Sequence, residues 1–303
     1  MSYRIECIPN VSTADPAILD RIVAGVEATD GVTLHFVDPG KSANRTVFTY
    51  LGPVDQVLKA TETLFAIALS EIDMREHQGI HPRMGAVDVC PFVLLDDESY
   101  AEDLLRRVGA FARKISTKHD VAIYGYEHLA TNPSRKNLAA VRQGEYEGLA
   151  ERFQGGDLPD FGPKTYTSAV ALHGATAMSV RPLMVAYNVN LTGGKLEDRL
   201  KAAKKIAGKI RERDGGMPGV KAIGWYLPDF ELVQVSCNLT KPNVAGVCEV
   251  FTRVQELAEE MGFEAPSSEL IGCIPQSQFT TMTPKELGFG ELKPFEANRI
   301  LPL

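Results

Sequence analysis

The sequence predicts an α+β protein made of two ferredoxin-like (split βαβ) halves. Three observations carry that reading. The chain has 303 residues, and a prior of one domain per ~150 residues suggests two domains. The C-terminal half alternates period-two and helical apolar patterns in the order β-α-β-β-α-β. The N-terminal half starts the same way, although no residue-level repeat links the two halves.

In the N-terminal half, Ile5 to Ile8 is a short strand. Asp15-Pro16 caps a helix to about Ala28, with proline in its first turn. Val32 to Asp38 and Arg45 to Leu51 are strands, and Pro53 opens a helix to about Ser70. Val87 to Leu94 is a fourth strand. A helix follows with Leu104, Val108, Phe111, Ala112 and Ile115 on one face, then a strand from Val121 to Tyr126. Gln154 to Lys164, rich in Gly, Pro and Asp, is the expected linker, giving domains 1–163 and 164–303.

In the C-terminal half, Leu183 to Leu191 is a period-two strand. Leu196, Leu200, Ala203, Ile206 and Ile210 mark a helix that Gly215 and Gly216 follow. Val220 to Tyr226 and Glu231 to Leu239 flank a Pro-Asp turn. Val247, Val250, Phe251, Val254, Leu257 and Met261 mark a second helix, and Ser268 to Ile274 is a last strand. Asn188 and Asn190 share one strand face, and Gln234, Ser236 and Asn238 share another. This amide-rich surface is either a solvated sheet face or a polar wall lining a cleft.

Composition narrows the function classes. Hydrophobic residues at 44% and charged residues at 23% are ordinary globular fractions, which argues against disorder. A net charge of -7 argues against a general nucleic-acid surface, because phosphate neutralisation needs a Lys/Arg excess. MSYRIECIPN has no apolar signal core, and no apolar run approaches the ~20 residues of a membrane span. The five cysteines show no CxxC spacing. A cytoplasmic chain with free thiols, no membrane and no nucleic-acid partner is expected.

The densest polar stretch is Arg75 to Asp88, REHQGIHPRMGAVD. Gly79 and Pro82 make it a loop between helix and strand. Three readings are open: His77 and His81 bind a metal with Asp88; the histidines are structural; or one is a general acid/base near working pH. The HxxxH spacing fits a zinc helix, but the loop residues break that helix and the glutamate is missing from its place. A second cluster, Val37 to Thr46, reads as strand, Pro-Gly turn, strand. In it Asp38 is either a solvated charge or a partner to an imidazole, with Lys41 and Arg45 for anions. No Walker loop, Rossmann fingerprint or GxSxG elbow occurs.

These residues resemble the glutamate formimidoyltransferase family. The carriers include Glu6-Cys7-Ile8-Pro9-Asn10, Asn44-Arg45-Thr46-Val47, His77 to Phe92, Gly144-Glu145-Tyr146-Glu147 and Pro159-Asp160-Phe161-Gly162-Pro163. Gly174-Ala175-Thr176, Ala186 to Leu191, Gly224-Trp225-Tyr226-Leu227, Gln234-Val235-Ser236 and Asn238-Leu239 complete the set. The match runs from about Glu6 to Pro275. It implies transfer of the formimidoyl group from N-formimidoyl-L-glutamate to N5 of tetrahydrofolate, in histidine degradation and one-carbon metabolism.

The resemblance further implies two subdomains whose sheets face each other around a charged tunnel. His81 would be the catalytic histidine, with Gly162 to Gly174 as the folate-binding loop. It implies tetrahydrofolate as co-substrate, no metal, a homodimer and no cyclodeaminase domain. Departures occur at Tyr124-Gly125-Tyr126-Glu127-His128, in a longer folate loop ending in His173, and at Ser179-Val180-Arg181. On this reading His81 shuttles a proton and Asp38 stabilises its charged form or the amidinium. Arg45, Arg75, Arg83 and Arg181 take substrate carboxylates, ahead of Lys41 and Lys164. Gly162, Pro163, Lys164, Thr165, Gly174, Asn188 and Asn190 complete the binding set. Rivals are a formyltransferase of the same family, a metal-dependent formimidoylglutamate hydrolase and a non-catalytic folate binder.

Overall fold

The computed structural model describes residues 3–41 and 43–301. Ser42, inside the Val37 to Thr46 cluster, and the termini at 1–2 and 302–303 lie outside the described residues. The chain forms two compact units, one ending at Pro182 and the other beginning at Leu183.

The first unit runs β1 (Arg4–Cys7), β2 (Asn10–Val11), α1 (Pro16–Glu27), β3 (Thr33–Gly40), β4 (Arg45–Pro53), α2 (Val54–Glu71) and β5 (Val87–Leu94). It continues with α3 (Ala101–His119), β6 (Ala122–Glu127), α4 (Leu138–Val141), α5 (Leu149–Gln154), α6 (Ser168–His173) and β7 (Ala175–Val180). One seven-stranded sheet holds all these strands. Both β1 and β2 lie between β4 and β5, interrupted near Pro9, and β3 flanks β4. Beyond β5 come β7 and then β6, both paired in parallel.

Alternation fixes which side chains face which way. Phe48 and Tyr50 of β4 join Ile5, Cys7, Cys90 and Phe92 in a core beneath α1, α2 and α3. Each large apolar side chain buried there contributes ~1.5–3 kcal/mol. A one-residue slip would turn that whole set outward, so the register is held, and Arg45, Val47 and Thr49 take the opposite face. On that opposite face a second cluster covers part of the sheet, with Val89, Tyr124, Tyr126 and Ala177 packed against Val141, Leu149, Phe153 and Val170.

Three expectations need correction. The domain boundary is not at 163/164, because β7 is inserted between β5 and β6 and binds residues 175–180 into the first unit. The composition-rich stretch before it is pinned down: Asp160 accepts from the Gly125 N–H and from Arg135, at 2.7 and 2.9 Å. Pro39-Gly40 is not the turn. Asp38, Pro39 and Gly40 pair with Val47, Thr46 and Arg45, which proline tolerates because β3 is an edge strand.

The second unit runs β8 (Val185–Thr192), α7 (Leu196–Ile210), β9 (Val220–Leu227), β10 (Leu232–Leu239), α8 (Val247–Glu259) and β11 (Glu264–Ile271). Its four strands are antiparallel in the order β11-β8-β10-β9. The last strand starts earlier than Ser268 and carries a register shift between Glu264 and Ser267, around Pro266. A small parallel pair, β12 (Ile274–Pro275) and β13 (Ile300–Leu301), follows. Val185, Tyr187, Val189 and Leu191 pack with Val233, Val235, Cys237, Leu239 and the apolar faces of α7 and α8. Asn188, Asn190 and Gln234 therefore share the other face, as period two predicts.

Candidate active site

The loop between α2 and β5 is held by its glycines and by Asn44. A Cβ on Gly79 would stand 2.3 Å from the Ala43 carbonyl oxygen, so only glycine lets the loop lie against the β3–β4 turn. Asn44, itself left-handed at φ 45°, donates from Nδ2 to the Gln78 carbonyl at 2.8 Å. Its Oδ1 accepts from the Ala14 N–H at 3.0 Å. At the far end, Gly85 and Gly174 bridge, and a Cβ on Gly174 would meet the Met84 oxygen at 2.2 Å. Close backbone approach is thus the reason for glycine at 174.

His77 is structural. Arg83 Nε can only donate, and it reaches His77 Nδ1 at 3.2 Å. The proton is therefore on Nε2, which donates to the Asn44 carbonyl at 2.9 Å. With both ring nitrogens engaged, His77 is not available as a metal ligand. Arg83 is committed too: its two terminal nitrogens fork onto Glu147 at 2.7 and 2.6 Å. It clamps residues 145–147 in this structure, where the sequence suggests a substrate carboxylate as its partner.

His81 is arranged differently. Its Nδ1 stands 2.8 Å from the Pro82 carbonyl oxygen, which can only accept. Nδ1 thus carries the proton and Nε2 the lone pair. Arg45 Nη1 lies 2.8 Å from Nδ1 and 3.0 Å from Nε2. An atom that near both nitrogens stands over the ring face, since in the ring plane it would collide with Cε1. The in-plane lone pair on Nε2 is left for another partner.

Electrostatics keeps this imidazole neutral. Burial first, then the Arg45 charge and more weakly Arg142, pushes the His81 pKa down to about 3, against the pull of the Pro82 carbonyl. Burial and the Arg45 charge thus act against the working-pH value that the sequence suggests for the free protein. Arg45 is itself pushed down to about 10, chiefly by burial, with Asp88 and Asp38 opposing and Arg142 adding repulsion.

Asp88 holds the two guanidiniums. It is fully buried, accepts the Met84 N–H at 2.8 Å, and pairs with Arg142 at 2.8 Å and Arg45 at 3.9 Å. Arg142 also donates to the Pro82 carbonyl, the same oxygen that fixes His81. The Arg142 Nε is buried without a partner. Sequence reasoning missed Arg142, and it weighed Asp88 only as a metal ligand. Asp38 is half-buried and acts on Arg45 through its charge. In register it is diagonal to Arg45 on the same sheet face.

The remaining candidates are scattered. Arg75 is exposed and forked onto Asp73. Lys164 is exposed and donates to the Pro159 carbonyl, Thr165 is exposed, and Pro163 is half-buried. Gly162 has φ 95° and lies against the Val121 carbonyl, where Phe161 bridges Ile123. Arg181 stands just past β7, with Nη1 donating to the Pro182 carbonyl at 3.0 Å. Asn188 and Asn190 belong to the second unit. There Gln234 Nε2 donates to Asn190 at 2.9 Å and to Glu269 at 3.0 Å, and Trp225 donates to Gln234 at 3.1 Å. Asn190 also donates to Ser267, and Lys293 pairs with Glu269.

The chain matches two family descriptions: the formiminotransferase domain, N-terminal subdomain, over residues 4–181, and the formiminotransferase domain over residues 186–298. It is 37% identical to a glutamate formimidoyltransferase of Streptococcus pyogenes, covering 91% of this chain and 90% of that one. A glutamate formimidoyltransferase of Thermoplasma acidophilum is 33% identical, over 90% and 88%. The formimidoyltransferase-cyclodeaminase of Dictyostelium discoideum is 38% identical over 91% of this chain but 51% of its own. The chain thus spans about half the length of such bifunctional relatives.

Proposed function

The chain belongs to the formiminotransferase family, and we propose that it transfers the formimidoyl group of N-formimidoyl-L-glutamate to N5 of tetrahydrofolate. The observation that carries this is the fixed tautomer of His81, a neutral ring with Nε2 as its basic nitrogen, stacked against the Arg45 guanidinium and near Arg142.

The nitrogen N5 attacks the amidine carbon and a C–N bond forms. Its proton passes to His81 Nε2. The tetrahedral centre then expels the glutamate nitrogen as the second C–N bond breaks, and Nε2 returns the proton to that leaving nitrogen. The imidazole ends neutral, and the products are 5-formimidoyltetrahydrofolate and glutamate. Such proton transfer is typically worth ~10²–10⁴-fold. In the free protein the imidazolium would face Arg45 and Arg142, which penalise it. A substrate carboxylate beside these guanidiniums would offset their charge and raise the proton affinity of His81 at the moment it is needed. Asp38 would assist from the same sheet face.

The wider reading has further parts. We read both units as split βαβ halves, and the strand orders support this: β8 to β11 lie fourth-first-third-second, and β5, β1, β4 and β3 repeat that order in the first unit. In the first unit Gly162, Pro163, Lys164, Thr165, Gly174 and Arg181 are assigned to substrate binding, and in the second unit Asn188 and Asn190 are assigned separately. Tetrahydrofolate is a co-substrate, and no metal takes part in the step. A cytoplasmic homodimer is part of the same proposal. The compartment is supported by the free cysteines, since Cys7 and Cys90 share a sulfur hydrogen bond at 3.8 Å and form no disulfide; the homodimer rests on the family resemblance. No described helix is long and apolar enough to cross a membrane.

The test is an absorbance assay of the purified protein with tetrahydrofolate and each donor. Product should form only when folate and formimidoylglutamate are both present. Glutamate release without folate would establish hydrolysis instead, and turnover only with the formyl compound would establish the formyl variant.

A further inference from the structure

Strand register lays out a polar row on the first unit's sheet face opposite Ile5 and Cys7. Glu6 stands across from Leu51 of β4 and Val93 of β5. Ser179 pairs with Pro91, so Arg181, two residues on, comes beside Val93 on the same face. Glu6 and Arg181 are therefore two strands apart on one cross-sheet row, about 10 Å between backbones. One row nearer His81 stand Thr49 and Ser179.

Two of these groups, Glu6 and Thr49, have no hydrogen-bond partner among the described residues. Glu6 is 4% exposed, its carboxyl makes no hydrogen bond, and Arg181 is the charge that acts on it. Burial pushes its pKa up to about 7. Thr49 Oγ1 is buried and unpaired, while Ser179 lies within hydrogen-bond reach of the Tyr126 hydroxyl. Unpaired buried polar groups cost stability, and a row of them is explained when a ligand pairs them. The flanking Leu51 and Val93 are apolar, and Arg4, two residues back on the same strand, is tied to Asp96 at 2.8 Å. Tyr126 on β6 also senses Arg181.

We propose that Glu6 and Arg181 bind a carboxylate of one substrate, Arg181 as its ion-pair partner and Glu6 as a neutral acid donating its O–H. This rests on the transfer reading above. Arg45 and Leu51 are six residues apart on β4, roughly 20 Å along an extended strand. This end thus suits the glutamate tail of an extended folate better than the reacting atoms at His81. The carboxylates of formimidoylglutamate are the other source.

The experiment measures binding of tetrahydrofolate and of formimidoylglutamate separately by calorimetry, and KM and kcat for each, in wild type, E6L, E6Q and R181M. E6L and R181M should weaken one substrate by about tenfold or more, the size of a lost charge-assisted hydrogen bond. The affected substrate identifies the source, and kcat should fall much less than 1/KM. E6Q keeps a donor, so it should bind better than E6L and lose the weakening that wild type shows between pH 6 and 8. Folded variants with unchanged binding of both substrates overturn the proposal, as does an equal weakening of both. Wild-type protein that binds without turnover sinks the transfer reading alone, and one that binds neither substrate sinks both.

Discussion

The two units carry polar sheet faces of opposite character. In the second unit the amides satisfy one another: Gln234 is buried at the centre of a network joining Asn190, Glu269 and Trp225. In the first unit Glu6 and Thr49 are buried without a hydrogen bond among the described residues. Asp88 faces two guanidiniums at once. A satisfied network rigidifies, whereas an unsatisfied one is high in energy until something pairs it. On the proposed reading the unsatisfied face of the first unit holds the reacting centre, whereas the amides of the second unit meet substrate as a rigid, already paired surface.

The largest expected effect is at the junction of the two arginines. D88A should destabilise the fold by about 3–5 kcal/mol, because it leaves two buried guanidiniums without their carboxylate. Denaturant unfolding measures it, and a loss under ~1 kcal/mol would mean that solvent already screens them. H81A should keep its folding stability and lose at least ~10²-fold in turnover. H77A should do the reverse, losing ~1–3 kcal/mol of stability with its two hydrogen bonds but less activity than H81A. Equal activity loss, restored by added zinc, would revive the metal reading.

A smaller effect separates the two faces by pH. The folded-state pKa of Glu6 is raised to about 7, so the unfolded chain ionises this group first. Its contribution to stability is present below the ordinary carboxylate pKa and fades as pH rises to 7. Relative to E6Q, wild type should lose roughly 2–3 kcal/mol between pH 4.5 and pH 8. Q234L should show no such pH-dependent difference. Parallel melting curves across that range for wild type and E6Q would put Glu6 in contact with water.

Much of this was legible locally. Period-two runs placed β4, β8 and β10, and with them Arg45, Asn188, Asn190 and Gln234 on their faces. Gly79 and Pro82 announced the His81 loop. What failed was non-local. Asp88 and Arg142 meet across 54 residues, and nothing in the short helix before Arg142 points toward His81. The insertion of β7 between β5 and β6 leaves no signature in its own residues, so the boundary was placed at the Gly/Pro-rich stretch. Pro39-Gly40 misled because an edge strand needs no N–H on its outer side. The sequence suggests an imidazole near working pH with arginines beside it for a carboxylate, yet burial and the stacked Arg45 guanidinium act together against its charge.

The claim that an uncharged imidazole offers its Nε2 lone pair to the substrate is tested most directly by nitrogen-resolved NMR of His81. In the free protein the spectrum should show the Nδ1–H tautomer with no protonation down to pH 5, and the pKa should climb when formimidoylglutamate binds. A ring that titrates near 6.5 without substrate, or carries its proton on Nε2, would contradict the account.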